Sequence, residues 1–251
     1  IFTRLGLEYV IVSADAGARL LPLVVLFGAV AATMRRLASA GTARVWGIAS
    51  GAAMGGSVAL LVAFGFGRVG DPAEGAWYFA LYAALTVGAA IALGNGRLAI
   101  AAVGLTGLAA VQWIVFRYGA GWGDARGWIA ALLTLATLLM VIVASGRLAG
   151  RRALGPASQV FLQAVLGASV VAAGLLVALG GRLEYHELAI GLLWLALVWL
   201  ALAWLLANAE LFVAFQIALA GSLGVVVTAR LAEEAWFEGW ERWIDPWFWQ
   251  A

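Results

Sequence analysis

Cysteine is absent from this 251-residue sequence, and so is lysine, because all fifteen basic residues are arginine. Without cysteine there is no disulfide, no thiolate metal ligand and no cysteine nucleophile. Without lysine there is no amine for a Schiff base, including the one that attaches retinal. A single histidine, His186, leaves few ligands for a metal. The sequence therefore predicts neither a metal ion nor an organic cofactor.

Charge of either sign is scarce as well. Charged residues make up 11% of the chain and hydrophobic residues 65%, whereas soluble domains have about 25% and about 45–50%. A water-soluble fold of this length could not bury so much apolar surface, so the expected partner is a lipid bilayer. The formal net charge is only +2 and the arginines are dispersed, which argues against a nucleic-acid partner.

Charged residues separate eight apolar runs, each close to the about 20 residues that a helix needs to cross a membrane. Backbone groups in lipid need internal partners, so these runs should be helices rather than strands. We therefore predict an all-α, polytopic transmembrane bundle of about eight spanning helices. The runs cover residues 16–34, 45–67, 76–94, 98–116, 127–146, 159–181, 188–207 and 211–229.

Two very short connections, GNGR (94–97) and ANAE (207–210), indicate an internal repeat. A shift of 113 residues aligns them, and it also aligns parts of the second and sixth helices. The alternative is that two segments rich in Ala, Leu and Gly match through composition alone. An even number of helices per unit would make the repeat parallel. The aligned pairs are Leu93 with Leu206, Asn95 with Asn208, Leu98 with Leu211, Gly51 with Ala164 and Gly55 with Ala168.

The expected organisation has four parts. Residues 1–15 form an N-terminal flank; because the chain opens on Ile1, we interpret it as a piece of a longer open reading frame or a processed product. Residues 16–116 hold the first four helices and residues 117–229 the second four. Residues 230–251 form a tryptophan-rich tail.

The two hairpins ALGNGRLAI (92–100) and LLANAELFV (205–213) resemble those of a family of large uncharacterised bacterial membrane proteins. Members of that family have many helices in repeated, short-looped sets and no established activity. The resemblance implies a polytopic fold over most of the chain. It implies no catalytic residue, so no role passes to any residue here.

Small residues mark two helices for close packing. The second helix carries Gly47, Gly51 and Gly55, and the sixth carries a stripe of alanines at the same spacing. Such stripes let helices approach closely in lipid, so we expect both helices to be buried among their neighbours. Chance stripes are the alternative, since Gly and Ala are abundant. The bulky seventh helix (192–206) should instead face lipid. The sixth-helix stripe is Ala164, Ala168 and Ala172.

Two arginine clusters set the expected orientation. With eight helices, both clusters fall on one side of the membrane, and the positive-inside rule places that side in the cytoplasm. Both ends of the chain would then lie outside the cytoplasm, and the bacterial inner membrane is the expected location. The clusters are Arg35, Arg36 and Arg44, and Arg147, Arg151 and Arg152.

The tail predicts an amphipathic helix lying at the membrane interface. Four tryptophans recur at helical spacing on one face, and acidic residues recur on another. Tryptophan favours the headgroup region, where its ring is in lipid and its N–H is wet. The alternative is a juxtamembrane segment that leads into a further helix. The tryptophans are Trp236, Trp240, Trp243 and Trp247.

Candidate chemistry is confined to one short loop. In RLEYHEL (182–188), Glu184, His186 and Glu187 are candidates for an acid/base group or a metal site, although an ordinary solvated loop explains them better. Polar side chains within the runs either bond neighbouring helices or line a substrate path. They are Ser57, Thr106, Gln112, Gln163, Ser169 and Gln216.

Together these features favour an integral membrane protein without its own enzymatic activity, either structural or a subunit of an envelope assembly with other membrane subunits. No acid or base lies in the middle of a run, which argues against an ion-coupled pump. One alternative is a transporter or channel with a path between the two four-helix halves. Another is a membrane enzyme that acts on lipid-linked substrates.

Overall fold

The computed structural model describes residues 15–37, 40–65, 72–118, 125–148 and 155–231, and these residues form helices joined by short turns. No strand occurs among them. A short helical segment, Asp15–Arg19, precedes the first long helix. The long helices are α1 (Leu21–Leu37), α2 (Ala40–Gly65), α3 (Pro72–Leu93), α4 (Gly96–Tyr118), α5 (Ala125–Leu148), α6 (Pro156–Leu179), α7 (Tyr185–Leu206) and α8 (Ala209–Leu231).

Eight helices in the described ranges are long and apolar enough to cross a membrane, which confirms the predicted all-α, polytopic transmembrane fold. The chain is therefore an integral membrane protein. Some helices begin before their apolar runs: α6 starts at Pro156, three residues ahead of the predicted run. Proline suits the first helical position, because the N–H that it lacks has no helical partner there.

Contacts divide the chain into two compact units. Unit 1 comprises residues 1–121 with 155–157, and unit 2 comprises residues 122–154 and 158–251. Each unit has a cluster of buried apolar side chains. The expected four-part organisation, with its repeat of two helix sets, stays a prediction.

Unit 1 consists of two helix hairpins, α1–α2 and α3–α4, each packed closely along its length. Its core lies where α1 and α2 meet α3 and α4, and large side chains fill it. Phe79 and Tyr82 of α3 are fully buried there, against Leu61 of α2 and Leu105 of α4. Unit 1 thus combines helices that are distant in sequence around one apolar cluster.

The start of the first span shows how a helix break is tolerated in lipid. Pro22 has no backbone N–H, and the helix is interrupted at Leu20, whose N–H turns back to the Gly17 carbonyl at 3.2 Å. Gly17 is buried so tightly that a Cβ there would lie 2.6 Å from Leu61 Cγ. The absence of a side chain lets α2 approach the broken helix and supply a polar partner from Ser57.

Unit 2 is built around α7, which packs along α8 and against α5. Leu195 of α7 is buried with Ile129 of α5 and Leu176 of α6. The prediction that the seventh helix faces lipid is wrong for one of its faces, where Leu195 and Leu202 are buried, whereas Leu197 and Trp204 on the other side are exposed. The error came from treating bulky residues as lipid-facing, because the buried face of α7 contains bulky residues beside small ones such as Gly191.

The two tight turns, at Gly94 and Ala207, have the same geometry. Both residues adopt the left-handed conformation, with φ of 60° and 50°. In each turn the next residue is an asparagine whose Oδ1 accepts two backbone N–H groups of the following helix. Each residue that makes these contacts in the second turn lies 113 positions after the corresponding residue of the first turn. The asparagines therefore cap α4 and α8 in the same way.

The left-handed turns make opposite predictions for two substitutions. Ala207→Gly should stabilise the protein by roughly 0.5–1 kcal/mol, because a Cβ is unfavourable at positive φ and glycine relieves that cost. Gly94→Ala should destabilise it by a similar amount. Thermal unfolding of both variants in detergent measures the two effects. Equal shifts of the same sign would show that the turn conformation is not what these residues contribute.

Candidate functional site

The loop candidates lie where α7 begins. A single turn of 3₁₀-helix, Gly180–Arg182, ends the preceding segment, and the chain then runs extended through Leu183 and Glu184. Glu184 is the N-cap residue and Tyr185 the first helical residue. The local sequence suits this conformation, since an acid at the N-cap and another three residues later form a capping box.

Glu187 has a structural partner for each carboxylate oxygen. Its Oε2 accepts the backbone N–H of Glu184 at 3.1 Å, which is part of the capping box. Its Oε1 lies 2.9 Å from the Arg126 guanidinium at the start of α5. The carboxylate therefore joins the first turns of two helices in unit 2. Its negative charge is also stabilised by the positive end of the α7 dipole.

His186 and Glu184 form an exposed pair. The His186 Nδ1 lies 3.3 Å from Glu184 Oε2, and the two side chains are 68% and 64% exposed. Within the described part of the chain, no three acidic or histidine side chains lie close enough to share a metal ion. The structure thus brings the three sequence candidates together, and the contacts that they make there are those of a helix start.

Inside the membrane, Ser57 bridges two other segments of unit 1. Its hydroxyl donates to the Gly17 carbonyl at 2.6 Å. Its single proton is then in use, so the contact of 2.8 Å with the Tyr82 hydroxyl has the tyrosine as donor. All of these groups are buried. The bridge ties α2 to α3 and to the broken start of the first span.

Unit 2 contains a related arrangement twice, with tryptophan as the aromatic donor and a carbonyl of the hydroxyl's own helix as the acceptor. Trp194 donates its indole N–H to the Thr137 hydroxyl at 2.9 Å, and that hydroxyl donates to the Leu133 carbonyl of α5. Trp199 donates to the Ser169 hydroxyl at 3.1 Å, and that hydroxyl donates to a carbonyl of α6. The α7 tryptophans are thereby bonded to α5 and α6. We call these three arrangements aromatic–hydroxyl–carbonyl bridges.

The remaining polar candidates differ in their surroundings. The Thr106 hydroxyl donates to the Ala102 carbonyl in its own helix. Gln163 and Gln216 are exposed on the helix surface. Gln112 is buried against Gly75, yet among the described residues neither its Nε2 nor its Oε1 has a hydrogen-bond partner. These positions are scattered over several helices, and the described contacts do not join them into one polar cluster.

The small-residue stripes behave differently in the two units. Gly47, Gly51 and Gly55 are exposed, and among the described residues a Cβ added at any of them would meet no atom of a neighbouring helix within 4 Å. The described part of unit 1 therefore leaves this face of α2 uncovered, and the burial of the second helix among its neighbours stays a prediction. α2 packs on α1 through a neighbouring face instead, where Ser50 donates to the Val24 carbonyl.

The sixth-helix stripe lies in a covered position. Ala168 and Ala172 are buried, and Ala164 is half-buried. Ala172 belongs to the core cluster that α5, α6 and α7 share. The predicted interfacial tryptophans, Trp236, Trp240, Trp243 and Trp247, lie outside the described residues.

Sequence reasoning missed five residues that carry these contacts: Tyr82, Arg126, Thr137, Trp194 and Trp199. A signal for the tryptophans was present, since both lie inside an apolar run rather than at its ends. A buried indole N–H needs a partner, which predicts a hydroxyl on a neighbouring helix. The identity of that hydroxyl depends on helix packing and is not contained in the local pattern.

Comparisons with protein-family models, with curated proteins and with solved structures found no match for this chain. Any inference about its function therefore depends on the geometry of its own residues.

The capping geometry predicts different roles for neighbouring residues in the loop. Glu187→Ala should lower the free energy of unfolding by about 1 kcal/mol, mainly through the lost cap, since an exposed ion pair adds little. His186→Ala should change it by less than about 0.5 kcal/mol, because the exposed imidazole supports no other element. Thermal unfolding in detergent distinguishes the two. A larger loss from His186→Ala than from Glu187→Ala would contradict the structural role assigned to this loop.

Proposed function

We propose that this chain is a structural subunit of a membrane assembly in the bacterial envelope, without enzymatic activity of its own. The observation that carries the proposal is the use of polar groups inside the spans. Ser57, Thr137 and Ser169 each connect an aromatic donor to a backbone carbonyl. Polar groups that hold helices together support a rigid scaffold.

The outward glycine face of α2 supports the role of a subunit. Glycine in a helix interior costs roughly 0.5–1 kcal/mol relative to alanine, and three exposed glycines offset none of that cost through contacts within the described chain. In a bilayer, small residues are favoured where another helix approaches closely. A transmembrane helix of a second subunit is the occupant that this face suits.

The two hairpin turns support an origin of the units as a parallel repeat. The left-handed residue, the capping asparagine and its two bonded N–H groups all recur at the same separation. Matching backbone geometry is a stronger argument than matching composition, because Ala207 adopts the conformation that glycine adopts in the first turn. A parallel repeat would mean that the scaffold consists of two helix sets of similar structure.

A substitution on the glycine face should dissociate the assembly. Gly51→Leu fills the space that a partner helix would occupy, so the full-length chain should migrate as a smaller species after mild solubilisation of native membranes. Gly88→Leu is the matched control, since Gly88 is also exposed within a span and has no neighbour within 4 Å of an added Cβ. Native electrophoresis measures the sizes.

Two outcomes of that measurement count against the assembly role. The first is a wild-type chain that already migrates alone. The second is a Gly51→Leu chain whose complex is as large as that of wild type and of Gly88→Leu. Both would exclude a second subunit as the occupant of the α2 glycine face.

We also propose that the membrane is the bacterial inner membrane, with the arginine clusters in the cytoplasm. The absence of native cysteine permits a clean labelling test. Arg182→Cys should react with a membrane-impermeant maleimide in spheroplasts, because the α6–α7 loop would be external. Arg97→Cys, an equally exposed position at the start of α4, should react only after permeabilisation. The reverse pattern would overturn the orientation.

A further inference from the structure

Three arginines gather at the tip of the α1–α2 hairpin. Arg35 and Arg36 lie in the last turn of α1, which ends at Leu37, and Arg44 lies four residues into α2. At 1.5 Å per residue, all three are within about 6 Å of the ends of their helices. All three are exposed. The hairpin therefore presents three guanidinium groups at one level.

No carboxylate within the hairpin neutralises these charges. The sequence contains no acidic residue between Asp15 and Asp71. The described ion pairs, Arg126 with Glu187 and His186 with Glu184, both lie in unit 2. The positive charges of Arg35 and Arg36 are stabilised by the negative end of the α1 dipole. Arg44, in contrast, lies near the positive end of the α2 dipole, which does not stabilise its charge. The C-terminal dipole of α1 thus does not account for the whole cluster.

The position of the cluster selects the kind of anion. Both spans terminate at this tip, so the guanidinium groups lie at the depth of lipid headgroups. Directly beside them, Leu37, Val45 and Ile48 are 69%, 64% and 63% exposed. In the same hairpin, Phe27 of α1 and Trp46 of α2 pack with ring centroids 5.4 Å apart.

We infer that the hairpin tip binds the phosphate of an anionic glycerophospholipid through Arg35, Arg36 and Arg44. Guanidinium groups bind phosphate oxygens in pairs, which a lysine ammonium cannot do. The exposed apolar residues next to the cluster offer a surface for the acyl chains, which neither a free phosphate nor a nucleic acid would use. This inference concerns the lipid and is independent of the assembly role.

The test uses the full-length chain purified in detergent and native mass spectrometry of its retained lipids. Wild type should bind phosphatidylglycerol in preference to phosphatidylcholine. Arg35→Gln/Arg36→Gln should lose that preference by roughly 25-fold, at about fivefold per arginine. Arg182→Gln/Arg230→Gln removes two exposed arginines outside the hairpin and should retain the wild-type preference.

A charge-conserving variant and a salt series complete the test. Arg35→Lys/Arg36→Lys retains the charge that directs insertion and should bind phosphatidylglycerol better than the glutamine variant. High salt should weaken the preference of wild type, even if the glutamine variant fails to fold. The inference fails if the preference survives high salt, if the control loses it equally, or if inorganic phosphate displaces the lipid from the tip.

Discussion

A hydroxyl group inside a bilayer has no water to bond, and the rest of this structure depends on how that constraint is met. Ser57 donates to the Gly17 carbonyl and accepts from Tyr82, so one side chain satisfies groups on two other segments. A two-helix form of this bridge recurs at Thr137 and Ser169, which accept from tryptophans of α7 and donate to carbonyls of their own helices. Each bridge removes a polar cost and at the same time connects helices, because the donor and the acceptor come from different parts of the chain.

The constraint also explains the exceptional positions. At the broken start of the first span, Ser57 adds a hydrogen bond to the Gly17 carbonyl, which also accepts the Leu20 N–H, and Gly17 leaves room for that approach. Gln112 meets the constraint poorly, since its buried amide has no hydrogen-bond partner in the part of the chain that the structure describes. Such a group costs free energy, and nothing in the described surroundings offsets it.

Polar groups that hold helices together are not free to serve other chemistry, and this links the structure to the proposed role. The loop acids follow the same rule at the membrane surface, where Glu187 caps α7 and pairs with Arg126. The outward features are of another kind: a glycine face on α2 and arginines at the hairpin tip. The bridges satisfy polar groups inside each unit, whereas these outward surfaces are suited to other helices and to lipid phosphate.

Local pattern was sufficient for the number of spanning helices, their approximate limits and the two asparagine turns, because hydrocarbon thickness and backbone hydrogen bonding act on each segment separately. The local sequence pattern did not predict which face of a helix is covered by other helices. α7 looked lipid-facing, yet one of its faces is buried, whereas the glycines of α2 have no packed neighbour among the described residues. In a bilayer, apolar side chains are equally stable against lipid and against protein, so hydropathy does not distinguish the two surroundings. Which face of a helix is covered was decided only by the packing of segments that are distant in sequence. The same packing determined the partners of Ser57, Thr137 and Ser169.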